Sequence, residues 1–585
     1  MNHPTRHFAL AAVLVLGAAC TTQAPPMPDR PHDVFGTPRE SVHRGGDDLL
    51  TAGLGLDGLR APTPPAFSDT AAPTPAELRR RAIWSNWRGI ADLRPGGGAG
   101  DVLPQVPGRE FSVLARVPGA QQPHRVLVQL PDAFDLARRC VVVAAASGSR
   151  GVYGAIAVAA PWALPRGCAV AYTDKGAGTD YADLDAGLGI AADGTVVPLA
   201  EAAAFAPETA ARHGIAFKHA HSRDNPEADW GAHVRQAAQF ALQVLSAQFP
   251  DQAPFTAANT RVIAVGISNG GGAVLRAAEA DDGLIDAVVA GEPNIHVDAP
   301  GSRPLYDYAT LAARLMPCAL LDLDDLPQPP MSDHLRALGE LRCANLHARG
   351  ELAGADTVAR ARDARRQLQA VGFDAAALRG GASSVGFDLW RAVAATYASA
   401  YGRFGPREHP CGFSFAPLDA TGTPRAATAT ERAAWWSDAS GIPPGNGIAL
   451  LDPRRDGADP DLPGIDCLRA LWEGESGNAD RVRAGIAATR AAPPRPGLPV
   501  VIVHGRDDGL IPAAFSSIPY TAMAHAAGRE VELRLVPDAQ HFDAFLALPG
   551  YGARYVPLLP HVHAALDEME AGMSGNAAAS AGTSP

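Results

Sequence analysis

The sequence predicts an α/β protein: a mostly parallel sheet in two parts, separated by a large helical insertion. Three observations carry that reading. Short apolar runs alternate with helical periodicity before residue 300 and again after 496, the rhythm of strand–helix–strand units. Between about 301 and 496 that rhythm stops, and helical stretches at 333–348, 356–371 and 387–401 are separated by Pro/Gly-rich loops. Finally, Gly266-Ile267-Ser268-Asn269-Gly270 stands between an apolar strand and a helix-forming run.

The elements follow in order. Residues 1–20 have a weakly basic start at Arg6, an apolar stretch over 8–16, and small residues before Cys20. This reads as a secretory signal, too short to span a bilayer. Leu16-Gly17-Ala18-Ala19-Cys20 resembles a bacterial lipoprotein cleavage box with its leucine displaced by one. A secreted, periplasmic or extracellular protein is expected, with Cys20 a candidate for lipid anchoring at a membrane. Residues 21–109 are Pro/Gly-rich, with one ordered piece at 75–90 where Leu78, Ile83 and Trp87 share a helical face.

Residues 110–300 form the first part of the core. Strands at 111–117 and 125–130 read as an antiparallel opening, and 141–146 and 168–173 as buried strands. Asn225-Pro226-Glu227 supplies a cap, a proline and an acid, the signature of a helix start. The strand 261–267 leads to Ser268, a helix is expected from 273, and another strand covers 286–290. The insertion, read as a lid, occupies 301–496. The second part of the core, 497–570, holds strands at 498–504 and 531–536 and helices at 513–528 and 555–569. The Ala/Gly/Ser tail, 571–585, reads as disordered.

Composition narrows the function classes. Hydrophobic residues at 47% with 19% charged describe a globular chain. The net charge of −12 carries no basic stripe, which argues against nucleic acid as a partner. Six cysteines follow Cys20, at 140, 168, 318, 343, 411 and 467; an even number permits disulfides but leaves the pairing open. None has the spacing of a zinc site. The acidic run from Asp452 to Asp461 offers hard ligands for calcium but lacks the EF-hand spacing, and reads as a solvated turn. No metal and no cofactor are expected.

The chemistry centres on Ser268. A serine on a sharp strand-to-helix turn is exposed above the sheet, with the Asn269 N–H placed to stabilise an oxyanion. The second donor is expected from the loop after 141–146, at Gly148 or Ser149. A nucleophilic serine needs a base and an orienting acid, which follow in the order Ser, acid, His in the α/β-hydrolase fold. The segment 501–512 resembles that fold's HGxxDxxVP run. It makes Asp508 the acid, with Asp507 as runner-up and Glu292, at another strand end, a weaker competitor. His541, in the loop after the last strand, is the expected base. A neutral histidine as base implies activity near pH 7 to 9 without added metal. His219 and His221 flank Lys218 and stand either in the cleft or in capping and core roles.

The segments AASGSRGVYGAI, GCAVAYTDKGAGTDY, FKHAHSRDNPEADW and GISNGGGAVLRAAE look like those of bacterial D-(−)-3-hydroxybutyrate oligomer hydrolases, relatives of the tannase and feruloyl esterase group. The resemblance implies an exported serine esterase that cleaves short 3-hydroxybutyrate esters to monomers, downstream of polyhydroxybutyrate depolymerases. Its partners would be small-molecule ester oligomers. An aromatic-ester hydrolase or peptidase on the same fold, and a non-catalytic surface-binding lipoprotein, are the competing readings. For an oligomer ending in a carboxylate, Lys175 is a candidate clamp, being one of two lysines and just past a strand end. The alternative for Lys175 is a loop salt bridge to Asp174 or Asp180, and Lys218 is its rival.

Overall fold

The computed structural model describes Met1 and residues 34–327, 333–438 and 447–581. The rest of residues 1–20, read as an export signal, lies with Cys20 outside the described residues. The chain opens with strands β1 (Arg39–His43), β2 (Gly108–Ala115), β3 (His124–Pro131), β4 (Cys140–Ala145) and β5 (Ala169–Thr173). A small sheet of β6 (Tyr181–Asp183), β7 (Leu188–Ile190), β8 (Val196–Pro198) and β9 (Ile215–Phe217) follows. Next come β10 (Arg261–Ile267) and β11 (Ala287–Gly291), then the insertion's β12 (Ser414–Pro417) and β13 (Ile448–Leu451), and last β14 (Val500–Gly505) and β15 (Val531–Val536).

The main sheet is ordered β1-β2-β3-β5-β4-β10-β11-β14-β15. The six strands from β5 to β15 run parallel. At the other side β1, β2 and β3 are antiparallel, ending in a polar edge strand. Alternation explains why the parallel strands read as unbroken apolar runs. Val142, Ala144, Ile263 and Val265 face one core while Val141, Val143, Val262 and Ala264 face the other. A mostly parallel sheet with helices on both faces, interrupted by a helical insertion, is the α/β-hydrolase architecture the sequence predicts.

Residues 34–109 are more tightly built in than the composition of the N-terminal segment suggests. β1 extends the main sheet, and Leu49, Leu50 and Leu59 are completely buried in one of its cores. The Pro75–Ile90 helix starts on a capping box between Thr74 and Glu77 with Pro75 at its first position, and buries Leu78, Ile83 and Trp87. The insertion has an apolar core of its own, which includes Tyr306, Leu378, Tyr397 and Ile465.

Several expectations need correction. Asn225-Pro226-Glu227 forms hydrogen-bonded turns, and the helix begins only at Trp230. Asn225 instead donates its side-chain amide to the Gly485 carbonyl in the insertion, and Glu227 turns into the interior. The helix after Ser268 starts at Asn269 rather than at 273. The last helix runs Leu559–Ala581, into the segment read as a disordered tail, as its high alanine content favours. The run from Asp452 to Asp461 is exposed over 453–458, as a solvated turn would be, but its flanking acids are engaged. Asp459 is buried against Arg342, and Arg391 lies between Asp452 and Asp461.

The six cysteines pair as Cys140–Cys168, Cys318–Cys343 and Cys411–Cys467, closing loops of 28, 25 and 56 residues. The first ties the start of β4 to the start of β5. Loops of this size make each bridge worth about 2–4 kcal/mol. Reduction is therefore expected to lower the denaturant midpoint, and equal midpoints with and without reductant would contradict the value assigned to the bridges.

Candidate active site

The carboxyl ends of the parallel strands deliver the candidate residues to one place. Gly148 follows β4, Ser268 follows β10, Glu292 follows β11, Asp508 follows β14, and His541 follows β15. Ser268 has φ 56° and ψ −124°, a strained conformation for a residue with a side chain. The flanking glycines make that turn sterically feasible. A Cβ at Gly266 would lie 2.3 Å from the Gly270 carbonyl oxygen, and one at Gly270 would lie 2.3 Å from that of Ala145.

His541 Nε2 lies 3.1 Å from Ser268 Oγ, and His541 Nδ1 lies 2.8 Å from Asp508 Oδ2. Asp508 Oδ1 accepts the backbone N–H groups of Leu510 and Ile511 at 2.8 and 2.7 Å, which fixes the carboxylate. Burial pushes this carboxyl up. The charge of His541 and the hydrogen bonds of His504 and His541 together outweigh it and hold Asp508 well below the usual carboxylate range. An ionised carboxylate only accepts, so Nδ1 of His541 carries the proton and Nε2 turns its lone pair to Ser268.

Asp508, not either of its two rivals, holds His541. Asp507 is half-buried, and its carboxyl is raised by burial and by neighbouring Asp538. Glu292 lies 3.8 Å from His541 Nδ1, a full ångström farther than Asp508. Its carboxyl is pushed well above the ordinary range by burial and then by Asp508 and Asp543. Glu292, Asp508 and His541 are also the group among the described residues whose ligand atoms come within 4.8 Å of one another. In that group Asp508 Oδ2 and His541 Nδ1 are already engaged with each other.

The loop after β4 separates the two candidate oxyanion donors. Gly148, at φ 51°, lines the cavity over Ser268 together with Asn269. Among the described residues its N–H has no backbone acceptor. The Asn269 N–H is the first of the orphan donors at a helix N-terminus. Ser149 is buried beneath, its Oγ 2.6 Å from His219 Nδ1, while His219 Nε2 lies 2.6 Å from Glu227 Oε1.

Lys175 is corrected here. It is fully buried behind the loop, does not line the cavity, and donates from Nζ to the Gly148 carbonyl oxygen at 2.8 Å. The alternative salt bridges are absent as well: Asp174 pairs with Lys218 and Asp180 with Arg125. Lys175 and His219 thus grip the Gly148–Ser149 segment from behind. His221 is a core residue, accepting the Phe217 N–H on Nδ1 and packing against Phe415.

A cavity of about 120 Å³ opens over Ser268. The insertion supplies part of its wall through Leu305, Leu389, Val393 and Tyr397, and the Pro75–Ile90 helix supplies Gly89 and Ile90. Tyr397 also receives a 2.6 Å hydrogen bond from Asn269 Nδ2, linking the insertion to the residue after Ser268. Among the wall residues that escaped sequence reasoning are Tyr397 and Arg150. Tyr397 gives no signal beyond a helical aromatic. Arg150 is visible as a charged residue in an otherwise small-residue loop.

Fold and site together define an ester-hydrolysing enzyme of the α/β-hydrolase class. More narrowly, the chain belongs to the 3HB-oligomer hydrolase family, whose model matches residues 15–582. It is 37% identical over 632 aligned residues to a D-(-)-3-hydroxybutyrate oligomer hydrolase of Burkholderia pseudomallei (strain 668), covering 97% of this chain and 90% of that relative. A protein of the same description from Paracidovorax citrulli (strain AAC00-1) is 38% identical, covering 91% and 86%. Among solved structures, the rice cell wall degrading esterase LipA from Xanthomonas oryzae is similar with a TM-score of 0.35 and 10% identity, over 80% of this chain and 93% of that one. An esterase from Aspergillus oryzae follows with a TM-score of 0.31 and 11% identity, over 77% of each chain.

Proposed function

We propose that this enzyme hydrolyses short D-3-hydroxybutyrate oligomers to monomers through an acyl-enzyme on Ser268. The observation that carries the chemistry is the hydrogen-bond chain Ser268–His541–Asp508 at the carboxyl ends of β10, β15 and β14. In this reading His541 Nε2 takes the Ser268 proton as Oγ attacks the ester carbonyl, and Asp508 stabilises the imidazolium. The N–H groups of Asn269 and Gly148 receive the developing oxyanion. The tetrahedral species collapses, the alcohol leaves with the proton from His541, and water repeats the sequence on the acyl-enzyme.

The substrate class is supported by the relatives named for it and by the small size of the cavity. The test is turnover of the hydroxybutyrate trimer against a feruloyl ester and a peptide. The trimer should be preferred; a preference for the feruloyl ester or the peptide would move the enzyme to the tannase-like or peptidase reading. Export belongs to the same proposal, since three disulfides suit an oxidising compartment. Attachment at Cys20 is tested by the mass of the native N-terminus.

Lys175 acts in this reading as a positioning residue for the Gly148 N–H. Lys175→Met is expected to lower kcat about tenfold or more, alike on charged and neutral esters, with little change in KM. A loss confined to KM for acidic substrates would return Lys175 to the carboxylate-clamp role. A pH signature accompanies it. Burial lowers the Lys175 ammonium to about 8, opposed by Glu227 and Asp174. Between that value and about 10.4 the unfolded chain binds the extra proton, so this group's contribution to stability rises with pH. Thermal midpoints at pH 7.5 and 9.5 should show a smaller rise in Lys175→Met than in the wild type.

A further inference from the structure

We propose that Arg150 is the carboxylate anchor of the cavity, binding the free acid end of an ester substrate and directing cleavage to the terminal ester bond. The proposal rests on the esterase reading of Ser268 given above.

Arg150 is buried, yet it lines the same cavity as Ser268 and His541. Its protein contacts are neutral: Nη1 lies 3.4 Å from Asn86 Oδ1, and Nη2 donates to the Gly89 carbonyl oxygen at 3.1 Å. No carboxylate lies within ion-pair distance of it among the described residues. Other buried arginines behave differently. Arg79 is paired with Glu110, Arg125 with Asp180, and Arg342 with Asp459. A buried cation without an anion carries a large desolvation cost, which an incoming carboxylate removes.

The surroundings are shaped for the guanidinium. A Cβ at Gly89 would lie 2.3 Å from Nη2, so only glycine leaves the fork its place on the Pro75–Ile90 helix. The fork has more N–H donors than its two protein contacts use, and its planar geometry matches a carboxylate. Burial alone lowers its pKa to about 10, which still leaves it charged at neutral pH.

The chemistry of the substrate fits an anchor beside the reacting serine. In a 3-hydroxybutyrate ester the terminal carboxylate is only a methylene away from the carbon that bears the ester oxygen. Holding that carboxylate at Arg150 places the last ester bond over Ser268. Ser268 Oγ then bonds to the acyl carbon, the acyl C–O bond breaks, and the terminal hydroxybutyrate leaves as an alcohol with the proton from His541. Shortening would proceed from the acid end, one monomer at a time.

The experiment compares the trimer free acid with its methyl ester in the wild type, Arg150→Met and Arg150→Lys. It also measures inhibition by butyrate of neutral nitrophenyl butyrate hydrolysis. The wild type should favour the free acid. In Arg150→Met the acid-to-ester ratio of kcat/KM should fall about 10- to 100-fold, mostly through KM. Butyrate inhibition should weaken in parallel, and Arg150→Lys should recover part of both. Equal losses on acid and ester with unchanged butyrate inhibition would overturn the anchor and leave Arg150 a strut between loop and helix. Turnover of the trimer by the wild type with no preference for the free acid would overturn it too. If the wild type ignores the trimer while butyrate inhibition still depends on Arg150, the anchor stands and the oligomer reading fails. Arg150→Lys keeps the comparison usable if Arg150→Met does not fold.

Discussion

Ser268→Ala is expected to lower kcat/KM for ester hydrolysis by about 10⁴-fold or more, with KM nearly unchanged. The serine hydroxyl is the only nucleophile presented at the turn between β10 and its helix, 3.1 Å from His541 Nε2. The turn holds Ser268 in a conformation that costs about 1–3 kcal/mol. Alanine removes the nucleophile but not that strain, so the variant should fold as the wild type does, and a thermal melt separates loss of chemistry from loss of structure. Near-native turnover in folded Ser268→Ala would place the nucleophile elsewhere.

The second large effect concerns the paired acids. Asp508→Asn is expected to cost about 10⁴-fold in kcat, because an amide on His541 Nδ1 favours the wrong tautomer. Asp507→Asn should cost less than about threefold, since its side chain is half-exposed and lies beside Asp538 rather than His541, where substitutions have small effects. The comparison is informative because the residues are adjacent and the substitutions identical. The reverse ranking would transfer the orienting role to Asp507. Similar small losses in both would shift attention to Glu292, whose oxygen is 3.8 Å from the same imidazole nitrogen.

Much of the scaffold was legible because its signals are local. The β10 and β15 strands, the Pro75–Ile90 helix and the Asp333–Ala348 helix carry their own apolar runs or helical periodicity, and their ends match the sequence reading. The meeting of Ser268, Asp508 and His541 was legible for a related reason. Each stands just past a parallel strand, and strand ends in such a sheet converge on one edge. The Gly148–Ser149 loop was legible as a place, but not which residue would face the cavity. That depends on the left-handed backbone at Gly148 and on the His219 contact that draws Ser149 down.

What stayed hidden depends on distant partners. Lys175 reads as an exposed strand-end cation until the chain folds over it, and its partner is a carbonyl 27 residues away. Arg150 meets Asn86 across 64 residues, and Asn269 meets Tyr397 across 128. No periodicity encodes such pairs. The three-residue strands β6 to β9 are too short to show alternation, and the pairing of six cysteines is set only by which elements pack together.

The most direct test of the account is covalent labelling with a fluorophosphonate, followed by peptide mass spectrometry. The probe reports a serine activated by its base, independent of any choice of substrate. The account predicts a single adduct on the peptide carrying Ser268, with labelling strongly reduced in Asp508→Asn and His541→Ala. An adduct on Ser147 or Ser149, or esterase activity that persists with Ser268 unlabelled, would contradict it.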